Sequence, residues 1–335
     1  MNGSPHVFGP ADLSDAERAS ILTRAAALKL ADAAPVLNRL RVGALYFNPS
    51  LRTRASFEQA VRVIGGACQT LNTSVDTWAL ELDPHAVMDG AAVENVVEAA
   101  RVLGQFFHVL GVRSFRGTGP WSVERTEPVL RKIAEYSGVP VISLEGTTHH
   151  PCQSLADALT LRETFGHDLR GLPVALSWAW HPKALPMAVP HSFLLQAALE
   201  GCDISLVHPE GFDLDAEIVQ QARSEAEARG GALRVSHDRA AGLAGRRVVY
   251  VKSWGRVDAH GATDPGLRPW LVDEAVLSGT DRAKVMHCLP VRRNVVLAGD
   301  VLDGPRSLVT QQAGNRLWAQ AALVEHVARR SGVLH

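Results

Sequence analysis

Apolar positions along this chain fall into short runs separated by longer segments with helical spacing, and the two kinds alternate from end to end. The runs Val42–Phe47, Phe107–Val112, Val139–Leu144, Val174–Trp178, Ile204–Val207, Val248–Val251 and Lys284–His287 are too brief for helices and read as buried strands. Helical spacing is found over Ser14–Ala33, Thr53–Ile64, Ala91–Leu103, Val123–Tyr136, Ser154–Phe165, Ser192–Leu199, Ala216–Arg229 and Pro269–Leu277, and from Asn315 onward. Ser14 and Glu17 make a capping box for the first of these. Such alternation predicts parallel sheets with right-handed crossovers. It runs once to about Leu144 and restarts after Thr147–Ser154, so the expected class is α/β, two doubly wound parallel-sheet domains in succession. Two segments break the rhythm. Asn72–Gly90 has no clear period, and loops of that length are commonly functional. Trp180–Pro190 is stiffened by Pro182, Pro186 and Pro190.

Polar clusters follow the strands: Ser50–Arg54, Arg113, Glu145–Gln153, His181, Lys252 and His287–Arg293. In parallel sheets ligands bind beyond the carboxyl ends of strands, so the recurrence points to a cleft between the domains. The most informative cluster is Phe47-Asn48-Pro49-Ser50-Leu51-Arg52-Thr53-Arg54-Ala55-Ser56-Phe57-Glu58, a strand end, a turn and a helix start. Backbone N–H groups, the helix dipole, two hydroxyls and two guanidinium groups suit a phosphate there. A plain helix cap with solvated arginines is the structural alternative. His149-His150-Pro151-Cys152-Gln153 lacks acidic or histidine partners at metal-ligand spacing, and hydrogen bonding by His150 and Gln153 fits it better. Glu145 could hold an ammonium group or be a surface charge. His287 and Cys288 are adjacent on a strand and point to opposite faces, which argues against a base–nucleophile pair.

Bulk properties narrow the class. With 335 residues, two domains are the natural expectation, and a net charge of −1 gives no general attraction to nucleic acid or membrane. Cys68, Cys152, Cys202 and Cys288 are scattered, as expected of reduced thiols rather than disulfides or a zinc site. No secretory signal or membrane-length apolar run is visible, and a cytoplasmic protein is expected. There is no G-x-S-x-G, Walker loop or G-x-G-x-x-G, which demotes serine hydrolases, P-loop kinases and nicotinamide dehydrogenases. No metal or cofactor is expected.

Together these stretches resemble the carbamoyltransferase family. Phe47–Glu58 is similar to its carbamoyl-phosphate loop, His150-Pro151-Cys152-Gln153 to its H-P-x-Q motif, and His287-Cys288-Leu289-Pro290 to the H-C-L-P of its ornithine branch. The resemblance implies a carbamoyl-phosphate-binding domain over 1–147, with the helix 315–335 packing back on it, and an amino-acid-binding domain over 148–314. It also implies a homotrimer with shared active sites and transfer of a carbamoyl group to an amine, in arginine biosynthesis. By the same resemblance, Ser50, Leu51, Arg52, Thr53, Arg113, His150, Pro151, Cys152, Gln153, Cys288, Leu289 and Arg316 bind carbamoyl phosphate, with Trp78 supplied by a neighbouring subunit. Arg113, His150, Gln153 and Cys288 polarise the carbamoyl group, while Glu145, His181, Lys252 and Arg292 hold the amino acid.

The departures are informative. Leu51 stands where ordinary members have Thr, Val251-Lys252-Ser253-Trp254-Gly255 replaces the S-M-G loop, and the proline-rich Trp180–Pro190 loop is present. All three resemble the N-acetylornithine and N-succinylornithine enzymes, in which that loop helps form a knot. Acetyl-type enzymes carry a glutamate at the position of Val93, which follows Met88-Asp89-Gly90-Ala91-Ala92. A glutamate would repel a succinyl carboxylate, so Val93 marks the succinyl type. The five-residue step from Glu145 to His150, the run His208–Asp215 and Val296 in place of a lysine agree. Against this, succinyl members carry proline at the Val93 position, and Asn95 replaces a usual histidine. The expected reaction is therefore carbamoylation of N-succinyl-L-ornithine, with N-acetyl-L-ornithine as the alternative acceptor. A non-catalytic anion-binding relative is the reading from another class. Gln311-Gln312-Ala313-Gly314 departs from the acidic residues usual before Asn315-Arg316.

Overall fold

A computed structural model describes residues 5–30, 37–73, 75, 77–115, 119–259 and 261–332. The end of the Ser14–Ala33 helix, residues 31–33, and the end of the C-terminal segment, 333–335, lie outside them. The chain divides into two compact units, Met1–Leu155 with Arg316–His335, and Ala156–Asn315.

In the first unit the order is α1 (Asp15–Leu30), β1 (Arg41–Tyr46), α2 (Leu51–Val63), β2 (Ala67–Asn72), β3 (Leu80–Glu81), β4 (Glu94–Asn95), α3 (Val96–Phe106), β5 (Val109–Arg113), α4 (Trp121–Glu124), α5 (Pro128–Ser137) and β6 (Val141–Glu145). Strands β2-β1-β5-β6 form a parallel sheet. Every residue of β5 is buried, as expected for a strand covered on both faces. Gly104 of α3 lets α5 approach closely, since a Cβ there would lie 1.8 Å from the Ser137 carbonyl oxygen.

The chain enters the second unit along α6 (Pro151–Phe165) and continues through β7 (Pro173–Trp178), α7 (Ala188–Leu199), β8 (Asp203–Val207), α8 (Ala216–Ala228), β9 (Ala232–Ser236), α9 (Arg239–Leu243), β10 (Val248–Lys252), α10 (Glu274–Leu277), β11 (Lys284–Met286), α11 (Gly299–Asp303) and α12 (Val309–Arg330). Its sheet, β11-β10-β7-β8-β9, is also parallel throughout. Ala175, Val249, Val251, Val285, Leu243 and Leu277 belong to one buried cluster against it. All of α7 is buried, which fits a helix apolar on every side. The two-domain α/β reading therefore holds. Among the described residues no helix is long and apolar enough to cross a membrane.

Several element boundaries differ from the sequence reading, each for a local reason. The helix expected over Val123–Tyr136 is broken into α4 and α5. Pro128 disfavours right-handed helix at the preceding residue, and Glu127 turns left-handed with φ 57°, at a cost of roughly 1–2 kcal/mol. Helix α3 starts at Val96 rather than Ala91, because Asn95 caps it by accepting from Val97 N at 3.0 Å. Helices α6 and α7 start earlier than expected, with Pro151 and Pro190 in first turns that need no N–H from them. The helix expected over Pro269–Leu277 is a 3₁₀ segment, Pro265–Trp270, followed by α10, and α12 begins at Val309 rather than Asn315. Strand β9 mixes Ala232, Leu233 and Val235 with Arg234 and Ser236 and is only partly buried, so its sequence carried little strand signal.

Candidate active site

At the carboxyl end of the first sheet, three loops are brought together by strand order alone. Phe47 N donates to Arg113 O at 2.9 Å and Ser114 N to Glu145 O at 2.9 Å, so the chain just beyond β1, β5 and β6 stays side by side. Asn48 adds a cross-link, its Oδ1 accepting from Phe115 N at 3.0 Å. The Asn48-Pro49 turn then delivers Ser50 as the cap of α2, where its Oγ accepts from Thr53 N at 3.2 Å. The cap reading and the anion reading of this stretch are compatible: the Ser50 hydroxyl satisfies one amide of the first turn, and the first turn keeps its positive dipole.

Arg316, on the part of α12 that belongs to this unit, ties the stretch to the start of α6. Its Nη2 donates to Thr53 Oγ1 at 2.8 Å and lies 3.5 Å from His150 Nε2. His150 supplies the carbonyl that opens α6, accepting from Gln153 N at 3.0 Å and Ser154 N at 3.1 Å. Thr53, Arg113, His150, Gln153 and Arg316 are all buried. Burial, with Arg316 and then Arg113 nearby, holds the His150 imidazole well below the ordinary histidine range. It is neutral near pH 7, so its 3.9 Å approach to Glu145 Oε2 is not an ion pair there. Glu145 instead pairs with Arg113 Nη1, and the Arg113 guanidinium also lies over the Phe115 ring at 4.9 Å. The Nε atoms of Arg52 and Arg113 are buried with no hydrogen-bond partner among the described residues.

Cys152 has no nucleophilic role in this arrangement. It is fully buried, its Sγ 3.6 Å from Ser143 O, and burial pushes its thiol up to about 12. Leu51, Trp78 and Val93 are exposed in the chain. Val93 stands one residue before β4, whose pairing with β3 (Leu80↔Glu94) organises the expected loop. Asn95 fastens the same loop, donating to Asp83 O at 2.8 Å.

In the second unit, Lys252 ends β10, buried, with Nζ donating to Ser253 O at 3.0 Å. His181 Nε2 accepts from Arg292 Nε at 3.1 Å, so its Nδ1 carries the ring proton and donates to Lys183 O at 2.8 Å. Burial, with Arg292, Lys252 and Lys183 nearby, lowers the His181 pKa against the opposing effect of the Lys183 backbone. Cys288 and Leu289 follow β11 in a turn where Leu289 N donates to His287 Nδ1 at 2.9 Å. Leu289 has φ 58° and precedes a cis proline bond. His181, Lys252 and Arg292 thus form a cationic group in which the arginine is already paired with neutral imidazole.

Sequence reasoning missed the residue that fastens this turn. Gln312 Oε1 accepts from His287 N at 2.9 Å while its Nε2 donates to Asp157 Oδ1 at 2.7 Å. Gln311 and Asn315 both donate to Glu163 Oε2, at 2.8 and 2.9 Å. The unusual amides before Arg316 therefore face carboxylates, where acids would repel. Only the departure from the familiar pattern hinted that this segment matters. Among the described residues no group of three or more His, Cys, Asp or Glu side chains is arranged to hold a metal ion.

Comparisons with known proteins agree with this layout. Residues 5–163 match the family model described as aspartate/ornithine carbamoyltransferase, carbamoyl-P binding domain, and residues 186–327 match the Asp/Orn binding domain of the same family. The chain is 39% identical over 336 residues to the N-acetylornithine carbamoyltransferase of Xanthomonas axonopodis pv. citri, covering 98% of each chain. It is 35% identical over 275 residues to the N-succinylornithine carbamoyltransferase of Bacteroides thetaiotaomicron, covering 81% of this chain and 82% of that one. Among solved structures, acetylornithine transcarbamylase complexed with acetylcitrulline superposes with a TM-score of 0.92 at 39% identity, over 95% of this chain and 98% of that one. A glutamate-to-valine mutant of N-acetyl-L-ornithine transcarbamylase, complexed with carbamyl phosphate and N-succinyl-L-norvaline, does so with a TM-score of 0.92 at 40% identity and the same coverage. With both domain models matched in order and full-length relatives at this identity, the chain belongs to the aspartate/ornithine carbamoyltransferase family of enzymes.

Proposed function

We propose that this protein transfers the carbamoyl group of carbamoyl phosphate to the δ-amine of N-succinyl-L-ornithine, giving N-succinyl-L-citrulline and phosphate, in arginine biosynthesis. The observation that carries the donor half is the grouping of Ser50, Thr53, Arg113, His150, Gln153 and Arg316 in one unit beside the starts of α2 and α6. Two arginine Nε atoms buried there without partners support an anionic ligand.

In this reading the first turn of α2, with Ser50, Leu51, Arg52 and Thr53, holds the phosphate, joined by Arg316 and by Trp78 of a neighbouring subunit in a homotrimer. Arg113, neutral His150 and Gln153 polarise the carbamoyl carbonyl, as do the backbone groups at Cys288 and Leu289. The neutral δ-amine attacks the carbonyl carbon, a C–N bond forms, and the oxyanion that develops is stabilised by these fixed dipoles and charges. The C–O bond to phosphate then breaks, and the amine's proton leaves with phosphate or to solvent. A neutral His150 can accept or donate without charging a buried site, which fits a role in polarisation rather than nucleophilic attack.

For the acceptor, Glu145, His181, Lys252 and Arg292 are the proposed contacts, with Val93 reading the acyl group. The glutamate-to-valine mutant solved with N-succinyl-L-norvaline supports valine as compatible with a succinyl ligand. The acetyl reading is favoured by a different observation, the longer match and higher identity to N-acetylornithine enzymes. One paired assay decides: purified protein with carbamoyl phosphate and either acceptor is expected to favour N-succinylornithine in kcat/KM. Equal or better turnover of N-acetylornithine overturns the succinyl assignment.

A further inference from the structure

The loop between β6 and α6 is gripped from outside by a carboxylate that the reaction itself does not need. Glu127 Oε2 accepts from Thr147 N at 2.9 Å, and Oε1 accepts from both Thr148 N and Thr148 Oγ1 at 2.6 Å. Glu127 is buried. It stands at the start of α5 but makes no side-chain capping bond to its own helix. The loop in turn comes close enough to Glu127 that a Cβ on Gly146 would lie 2.6 Å from Oε1. Gly146 N donates to His149 O at 2.8 Å, closing the loop on itself.

Removing a carboxylate from water is costly unless donors compensate. Burial pushes the Glu127 carboxyl above its usual range, opposed by the bonds from Thr148 and Thr147 and by Arg131, the nearby cation on α5. Its backbone is also left-handed, with φ 57°, just before Pro128. These unfavourable features converge on one short loop, whose two ends are Glu145, paired with Arg113, and His150, beside Arg316.

We propose that Glu127 is a positioning residue for carbamoyl-phosphate use: its carboxylate fixes the Gly146–His149 backbone and thereby sets His150, Gln153 and the Arg113–Glu145 pair. This rests on the donor half of the function proposed above. Glu127 touches no substrate in this role and acts through the loop.

The test uses the full-length protein with Glu127→Gln, whose amide replaces an acceptor oxygen with a donor, and Thr148→Val, which removes only the hydroxyl contact. Steady-state kinetics are measured with each substrate varied, alongside hydrogen–deuterium exchange over residues 145–153. Glu127→Gln is expected to raise KM for carbamoyl phosphate at least 10-fold, while KM for the acylornithine stays within threefold. Thr148→Val is expected to follow in the same direction with a smaller rise, and it carries the test alone if Glu127→Gln does not fold. Exchange is expected to quicken at positions 147 and 148 in both variants. A fall in kcat alone, as from a smaller folded fraction, or unchanged exchange in the loop overturns the proposal. If the unmodified protein turns over no acylornithine at all, the proposed reaction fails, whereas exchange that quickens only in this loop still supports the grip of Glu127 on it.

Discussion

The Arg316 guanidinium donates to the Thr53 hydroxyl across 2.8 Å, although the two residues stand 263 positions apart in the chain. The same Nη2 atom is 3.5 Å from His150 Nε2, so one buried cation joins the first turn of α2 to the start of α6. Replacing it by a neutral side chain of similar length, Arg316→Met, removes a charged donor beside the proposed phosphate and the proposed carbonyl contact. By analogy with the loss of one transition-state donor, kcat/KM for carbamoyl phosphate is expected to fall by about 100-fold. Arg316→Lys is expected to recover part of the loss, since it restores charge without the planar fork. Steady-state rates with carbamoyl phosphate varied check both; equal activity in all three proteins removes Arg316 from the site.

How much of this was legible in the sequence depends on how local the interaction is. The stretch Ser50–Arg54 reads directly, because a cap and a helix start are set within a few residues. The apolar runs read as strands because both faces of a parallel sheet are buried. Arg316 could be nominated by resemblance, but its bond to Thr53 depends on where the C-terminal helix returns. Glu127 gave no signal as a site residue and Gln312 only its departure from the familiar pattern, since a lone amide or carboxylate has no period and its partners lie elsewhere along the chain. Strand β9 stayed hidden for the opposite reason: an edge position leaves it half polar.

Gln312 gives a stability prediction inside the second unit. Gln312→Ala removes an acceptor from His287 N and a donor from Asp157, both buried, and is expected to destabilise by about 3 kcal/mol. Gln312→Glu sets two buried carboxyls side by side. One of them must hold its proton, with a pKa raised in the folded state. A raised folded pKa means stability present at low pH and lost as pH rises through that value. The deficit of Gln312→Glu relative to the unmodified protein is thus expected to grow between pH 5 and pH 8. Urea titrations at several pH values check this, and a pH-independent deficit counts against the Gln312–Asp157 contact.

His150 predicts the reverse sign. Its folded pKa lies well below the ordinary 6.5 of an unfolded histidine, so below that value the unfolded chain binds a proton that the folded protein refuses. Stability from this group is therefore full above about pH 6.5 and declines as pH falls, by at most ~1.4 kcal/mol per pH unit. His150→Gln, which cannot titrate, is expected to lose less stability than the unmodified protein between pH 7 and pH 5.5. Parallel slopes for the two proteins in that window would mean that His150 takes up its proton equally in the folded and the unfolded chain.

Val93 carries the prediction about the acceptor. It is 63% exposed within the chain, one residue before the β3–β4 pair that organises its loop. A carboxylate placed there by Val93→Glu would face the distal carboxylate of a succinyl group. Two like charges at ~4 Å repel by about 4 kcal/mol at an effective dielectric of 20, and exposure to solvent reduces this. The ratio of kcat/KM for N-acetylornithine to that for N-succinylornithine is expected to rise by about 10- to 100-fold, equivalent to ~1.4–2.8 kcal/mol. KM for carbamoyl phosphate is expected to stay nearly constant, because the proposed donor contacts lie at the starts of α2 and α6. An unchanged acceptor ratio shows that this position does not read the acyl group, and the choice between acyl groups then falls to the proposed acceptor contacts at His181, Lys252 and Arg292.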